Sequence, residues 1–221
     1  MSKKIFVLYI SLFAFLLCAN GQDDAHSQKI IDDMTAKFKS YPTVSLSFSA
    51  TITQLQDKPE TKQDWKIWLK GNKFKLEIPD CVIYFDGSKI YQYMPEVKEV
   101  TVNKPDEDDE DFQLLNPQTY FNFSSKSFKS KLVKESIQNN RKVYEIDLYP
   151  IQLKTTKYSR IRLMVEKSTL QLVHLTAFLK DGAQYALSFK PYEILQTALR
   201  DSFFTFNTLE NPNVEVIDLS F

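Results

Sequence analysis

Glycine is scarce in this chain, with 4 in 221 residues. Loops that cradle phosphates need several glycines close together, so that backbone N–H groups can approach the ligand without a Cβ in the way. The expectation is therefore that the chain has no nucleotide site. Histidine and cysteine are equally thin, at 2 each. A tetrahedral zinc site draws four ligands mainly from these types, and His26, His174, Cys18 and Cys81 are too few and too dispersed to supply one. His174 has no glycine-flanked nucleophile elbow to serve in a hydrolase triad. The carboxylate pairs Glu77 with Asp80 and Glu145 with Asp147 read as surface alternation, because a glycosidase needs such a pair in a polar cleft lined by aromatics. The expectation is a protein that is not an enzyme and holds no metal and no cofactor.

An excess of charge of one sign is also missing. Lys plus Arg number 28 and Asp plus Glu 28, so nothing in the balance asks for nucleic acid as a partner. Aromatics are abundant instead: 17 Phe and 11 Tyr within a 43% hydrophobic composition, enough to fill the core of one domain.

Lys3 and Lys4 precede the apolar run Ile5 to Leu17, followed by small residues at Ala19 and Gly21. This is the three-part pattern of a secretory signal peptide, predicted over 1–21 and cut before Gln22. The run falls short of the roughly 20 apolar residues of an ordinary membrane span. Acylation of Cys18 is the rival reading, and the bulky Leu17 before it fits poorly there. Residues 22–221 are expected to form a single domain in which Cys81 is the only thiol, so no intramolecular disulfide forms. Loss of Lys3 and Lys4 leaves 26 basic residues against 28 acidic, a net charge of −2.

Ile30, Ile31, Met34 and Phe38 recur at helical spacing behind Ser27, a residue type that caps helices, and Pro42 ends the pattern. From Val44 the period becomes two: Val44, Leu46, Phe48, Ala50 and Ile52 alternate with Ser and Thr. Further apolar runs follow at Trp65 to Lys70, Phe74 to Ile78, Val82 to Phe85, Ile90 to Met94 and Val97 to Val102, with short turns between them. After an interruption come Ser127 to Ile137, Val143 to Tyr149, Ser159 to Glu166, Leu172 to Leu179, Gln184 to Lys190 and a terminal group around Phe203 to Phe206. Such spacing predicts antiparallel hairpins, and about eleven strands in one domain require a barrel or a strongly curved sheet.

The interruption, Asp106 to Phe123, opens with an acidic run suited to the positive end of a helix and continues with Phe112, Leu114, Leu115, Tyr120 and Phe121, broken by Pro117. An unbroken acidic run lacks the spaced ligands of a calcium loop. Its apolar residues are expected to form a lid over the open mouth of the curved sheet.

The segments "SFSATITQ", "WKIWLKGNKFKLE", "FDGSKIYQYMPEVKEVTV", "FQLLNPQTYF" and "DSFFTFNTLENPNVEVID", taken in order over most of the chain after the leader, resemble the outer-membrane lipoprotein carrier family, LolA. The resemblance implies a half-open, strongly curved antiparallel β-barrel with a helical lid. It implies a carrier in the periplasm of a Gram-negative bacterium, acting as a monomer, that takes the acyl chains of lipoproteins from the inner to the outer membrane. Its implied partners are lipoprotein cargo, an inner-membrane lipoprotein-releasing ABC transporter and an outer-membrane acceptor. One position departs from the pattern: where the family carries an arginine that restrains the lid, this chain has Gly71 after Lys70.

On strand alternation, the residues expected to line an acyl-chain cavity are Leu46, Phe48, Ile52, Trp65, Ile67, Leu69, Phe74, Leu76, Tyr91, Tyr93, Ile161, Leu163 and Val165. A register slip of one residue would exchange whole sets. Burying a methylene contributes about 0.8 kcal/mol, so a chain of about sixteen carbons gains roughly 12 kcal/mol before ordering costs. Two alternatives use the same half-barrel: a membrane-anchored acceptor of lipoproteins, resembling LolB, which a lipidated Cys18 would indicate, and an envelope-stress interaction or sensor module. Lys66, Lys70, Lys73 and Lys75, on the outer faces of strands, are read either as a solvated face or as a docking surface.

Overall fold

A computed structural model describes residues 25–53, 61–105, 121–152, 154 and 156–220. The chain is helical over 25–39 (α1). Then come β1 (Thr43–Thr53), β2 (Thr61–Lys70), β3 (Lys73–Ile78), β4 (Cys81–Phe85), β5 (Ile90–Met94) and β6 (Glu99–Asn103). They are followed by β7 (Phe128–Gln138), β8 (Arg141–Pro150), β9 (Tyr158–Glu166), β10 (Leu172–Leu179), β11 (Gln184–Phe189), β12 (Glu193–Leu195) and β13 (Glu215–Asp218).

These thirteen strands join one sheet in the order β13-β6-β5-β4-β3-β2-β1-β11-β10-β9-β8-β7, with β12 paired to β1. The sheet is curved and unclosed, because its end strands, β13 and β7, do not pair with each other. Strand β1 is its hinge line. Val44 to Ile52 pair with β2 on one side, while β11 and β12 share the other. Pairing is antiparallel throughout except at the edge, where β13 runs parallel to β6.

Local sequence explains the hairpins. Asn139 and Asn140, at φ 47 and 62, make the two-residue turn between β7 and β8, since asparagine tolerates the left-handed region that such tight turns require. Gly71, at φ 56, turns β2 into β3. Gly87 serves a second need: a Cβ there would lie 2.9 Å from the Asn72 side chain, which packs across the neighbouring turn.

The helix lies against one face of the sheet, its inner face. Ile30, Ile31 and Met34 enter one buried cluster with Leu46, Ile67, Phe74, Ile146, Leu163 and other inward strand residues. Burial of these apolar groups drives the association. Ser27 is not the helix cap its position suggested. It lies within the helix, and its Oγ is bonded to Ser130 Oγ of β7 at 2.8 Å, tying α1 to the far end of the sheet.

The outer face of β4 to β6 has its own cover. Val100 and Val102 are buried there with Phe204 and Phe206 of the C-terminal segment. Phe203 to Phe206, expected as a strand, includes a 3-10 turn over Asp201–Phe204. The two short strands β12 and β13 flank it, and neither was expected. Among the described residues no helix is long and apolar enough to cross a membrane.

Glu145 and Asp147 are not surface residues: their side chains are only 4% and 3% exposed. Both lie on the outer face of β8. Asp147 accepts from Arg162 Nε and Nη2 at 2.7 and 2.9 Å and from Arg160 Nη1 at 3.1 Å, while the Arg160 guanidinium lies 4.0 Å from the Phe178 ring centroid. Burial pushes the Asp147 carboxyl up, but its bonds to Arg162 and Arg160 outweigh this and hold it below the ordinary value. Glu145 accepts from Ser136 Oγ at 2.7 Å.

Candidate functional site

Pairing registers decide which side chains face the helix. Across β1, β2, β3 and β4, the registers align Leu46 with Ile67, Ile67 with Leu76, and Leu76 with Ile83. The next inward row runs from Leu69 through Phe74 to Phe85. On the other side of β1, Phe48 opposes Phe189, and Leu175, Leu163 and Ile146 continue the surface. Thus Leu46, Phe48, Ile67, Leu69, Phe74, Leu76, Ile161, Leu163 and Val165 all sit in the buried inner cluster. Trp65 is half-buried, edge-on to Phe48 at 5.7 Å, and Ile52 is half-buried near the end of β1.

Tyr91 and Tyr93 do not belong to this surface. They oppose Val102 and Val100 on the outer face, while Ile90, Gln92 and Met94 point inward. Tyr93 packs against Phe206 at 5.0 Å, and Tyr84 approaches the same ring at 6.1 Å. The physical reason is that this end of the sheet buries its outer face beneath the C-terminal segment, whereas its inner face carries exposed Gln92 and partly exposed Thr101.

Most of the inner face is covered by α1 and forms core. A cavity of about 320 Å³ remains where α1 ends, lined by Phe38, Lys39, Tyr41, Val44, Leu69, Gly71, Phe121 and Asn122. Of the residues expected at a cavity or lid, Leu69 and Phe121 line it. Phe112, Leu114, Leu115 and Tyr120 lie outside the described residues. Phe38, Lys39, Tyr41, Val44 and Asn122 were not anticipated; the aromatic pair Phe38 and Tyr41 just before Pro42 was the available signal.

The cavity wall is held by ring packing. Phe38 stacks on Phe121 with centroids 3.9 Å apart and planes within 6°. Phe121 also meets Phe189 at 5.7 Å and Tyr192 at 6.2 Å. Tyr192 donates its hydroxyl to Leu172 O at 2.9 Å, and burial pushes that phenol well above its usual value. Gly71 borders the opening, and a Cβ built there would meet nothing within 4 Å.

The outer-face lysines are engaged inside the molecule rather than offered as a docking surface. Lys70 Nζ donates to Leu199 O at 2.6 Å and to Asp201 Oδ1 at 2.7 Å, and Lys73 Nζ donates to Asp201 Oδ2 at 2.7 Å. These bonds hold the Asp201 carboxyl down at about 2. Lys75 Nζ lies 5.1 to 5.4 Å from the ring centroids of Phe203, Trp68 and Tyr84 and is paired with Glu77 at 2.9 Å. Lys66 sits 4.8 Å over Trp68.

His174, on the outer face of β10, has Nδ1 bonded to Ser188 Oγ at 2.9 Å and Nε2 bonded to Thr176 Oγ1 at 3.0 Å. Burial lowers its affinity for a proton. With a hydroxyl on each ring nitrogen, the imidazole lacks the carboxylate that orients the base of a triad. The Cys81 thiol is buried and pushed up by that burial, which suits a packing role.

The architecture is that of half-open sheets wrapped around a helix, and solved structures share it. An uncharacterized conserved protein from Thermus thermophilus superposes with a TM-score of 0.57 at 8% identity, over 87% of this chain and 99% of that one. The Mycobacterium tuberculosis lipoprotein LppX superposes at 0.52 with 12% identity, over 80% and 100%. A LolA superfamily protein from Nitrosomonas europaea is also similar, at 0.41 with 15% identity, over 81% and 97%. No protein-family model and no curated protein matches the sequence.

Proposed function

We propose that this protein is a periplasmic carrier that shields the acyl chains of lipoproteins during their passage from the inner to the outer membrane. One observation carries the reading: the inner face is apolar from β4 through β1 to β8 yet incompletely filled, leaving an open cavity of about 320 Å³ with five apolar or aromatic lining residues. Hydrocarbon fits such a wall, because each buried methylene contributes about 0.8 kcal/mol and needs no hydrogen-bond partner. Movement of α1 away from the sheet would extend the cavity along Leu46, Ile67, Leu76 and Leu163, so the rest of the inner face is the route for longer or additional chains. The leader over 1–21 and cleavage before Gln22 belong to the same proposal.

The test is native mass spectrometry of the protein isolated from its envelope without detergent, combined with depletion in the living cell. Bound acylated protein or lipid, with lipoproteins stranded in the inner membrane on depletion, is the expected result. An empty protein and unchanged sorting would sink the reading. A mature N-terminus at diacylated Cys18 would convert the shuttle into an anchored acceptor.

A further inference from the structure

We infer that the cavity at the end of α1 takes a single alkyl chain with an anionic head group, whose polar contacts are Lys39 and Asn122. This rests on the reading of the inner face as a hydrocarbon-binding surface, and it adds to the neutral acyl chains of a lipoprotein a second ligand class, a free single-chain anion.

Volume limits the number of chains. About 320 Å³ lies at the lower edge of the roughly 300–1,000 Å³ of pockets that enclose one small ligand. Phe38, Val44, Leu69 and Phe121 provide a hydrocarbon wall, so the tail is apolar. Charge selects the head. Lys39 is the charged residue lining the cavity, and among the described residues no carboxylate lines it.

Lys39 Nζ donates to Asn122 Oδ1 at 3.1 Å. An ammonium has three donors and a primary amide two, so this bond leaves each group able to donate to a shared acceptor. It also turns the amide so that its oxygen faces the lysine and its nitrogen faces away. A carboxylate or phosphate beside the pair would accept from the lysine through one oxygen and from the amide nitrogen through another. The neighbouring turn adds to the field: Lys70 and Lys73 share the single carboxylate of Asp201, two positive charges against one negative.

The end of a helix carries partial negative charge, which opposes an anion. Here three of the last four carbonyls are already engaged: Ser40 N–H donates to Ala36 O and Lys37 O, Ser40 Oγ to Lys37 O, and Tyr41 N–H to Phe38 O. The lysine therefore dominates at the opening.

The test is isothermal titration calorimetry of the purified protein with dodecanoate, dodecanol and dodecyltrimethylammonium, which share one tail. Dodecanoate is expected to bind about fivefold or more tighter than the alcohol, the size of a partly exposed charge-assisted bond, and the cation weakest. Lys39→Met should equalise acid and alcohol without changing the alcohol's affinity, and Lys39→Arg should keep the preference. Leu69→Trp, which fills the cavity, should remove binding of all three; thermal unfolding confirms that each variant is folded. Equal binding of acid and alcohol by the unaltered protein, or a preference that survives Lys39→Met, overturns the inference while the carrier reading stands. Failure of all three to bind also overturns the inference, while the carrier reading stands or falls separately, on bound acylated protein and on lipoprotein sorting.

Discussion

The carboxylate of Asp201 is bonded at 2.7 Å to the ammonium of Lys70, 131 residues earlier in the chain. Its other oxygen holds Lys73 at the same distance, so one aspartate pins both flanks of the β2–β3 turn from the C-terminal segment. The turn contains Gly71, which borders the cavity. In this chain, the turn by the opening is restrained from outside the sheet rather than by a side chain at position 71.

Because the folded Asp201 carboxyl is held at about 2, against roughly 3.9 when unfolded, its contribution to stability is present above about pH 4. It is lost as the pH falls towards 2. Asp201→Asn is expected to remove this component. Unfolding midpoints of the two proteins should differ at pH 6 and converge near pH 2; a constant difference would show that the ion pairs do not account for the effect.

Phe121 is fully buried and stacked on Phe38. Phe121→Ala is expected to destabilise by about 3 kcal/mol in urea unfolding, as lost transfer energy and a new void add together. Because the void joins the existing cavity, an apolar fluorescent probe should bind the variant with greater capacity.

Asp147 is buried against Arg162 and Arg160 on the outer face. Arg162→Leu removes the paired Nε and Nη2 bonds and leaves a poorly compensated charge, at a cost of about 2 kcal/mol. Asp147→Asn in the same background should recover part of that loss, which a double-mutant cycle measures directly.

The two faces are separable by mutation. Tyr93→Ala should loosen the C-terminal segment, read as faster proteolysis between Thr205 and Asp218, with dodecanoate affinity unchanged. Leu69→Trp should abolish binding and leave proteolysis as it was.

Gly71 has space for a side chain but a backbone that disfavours one, at φ 56. Gly71→Val should destabilise by about 1 kcal/mol and Gly71→Asn by less, since asparagine tolerates the left-handed region. Equal costs would point to a packing effect instead.

Much of the fold was legible because periodicity is a local signal. Alternation from Val44 to Ile52 marked β1 and its buried face, and Ile30, Ile31, Met34 and Phe38 marked α1 and the stripe it buries. Helix boundaries were less legible: Ser27 looked like a cap, yet its hydroxyl is used by a partner 103 residues away. Strands β12 and β13 escaped notice because Glu193–Leu195 and Glu215–Asp218 are too short to display a period.

The candidate site was only half legible. Inward residues of β1, β2, β3 and β9 followed from alternation once a face was chosen, but Tyr91 and Tyr93 had apolar or aromatic neighbours in either register and gave no sign of which side would be covered. The cavity itself depends on where α1 stops over the sheet, and that is a packing relation.

By itself, the sequence determined the supply of structure: a curved sheet of many hairpins, one amphipathic helix, abundant apolar surface and few histidines, cysteines and glycines. Those follow from composition and short-range period. Tertiary structure alone decided which face of each strand is buried, that the C-terminal segment covers the outer face of β4 to β6, and that Lys39 and Asn122 meet at the cavity. Such decisions depend on contacts between residues far apart in the chain, where each partner's pattern is compatible with several arrangements and only the joint burial selects one.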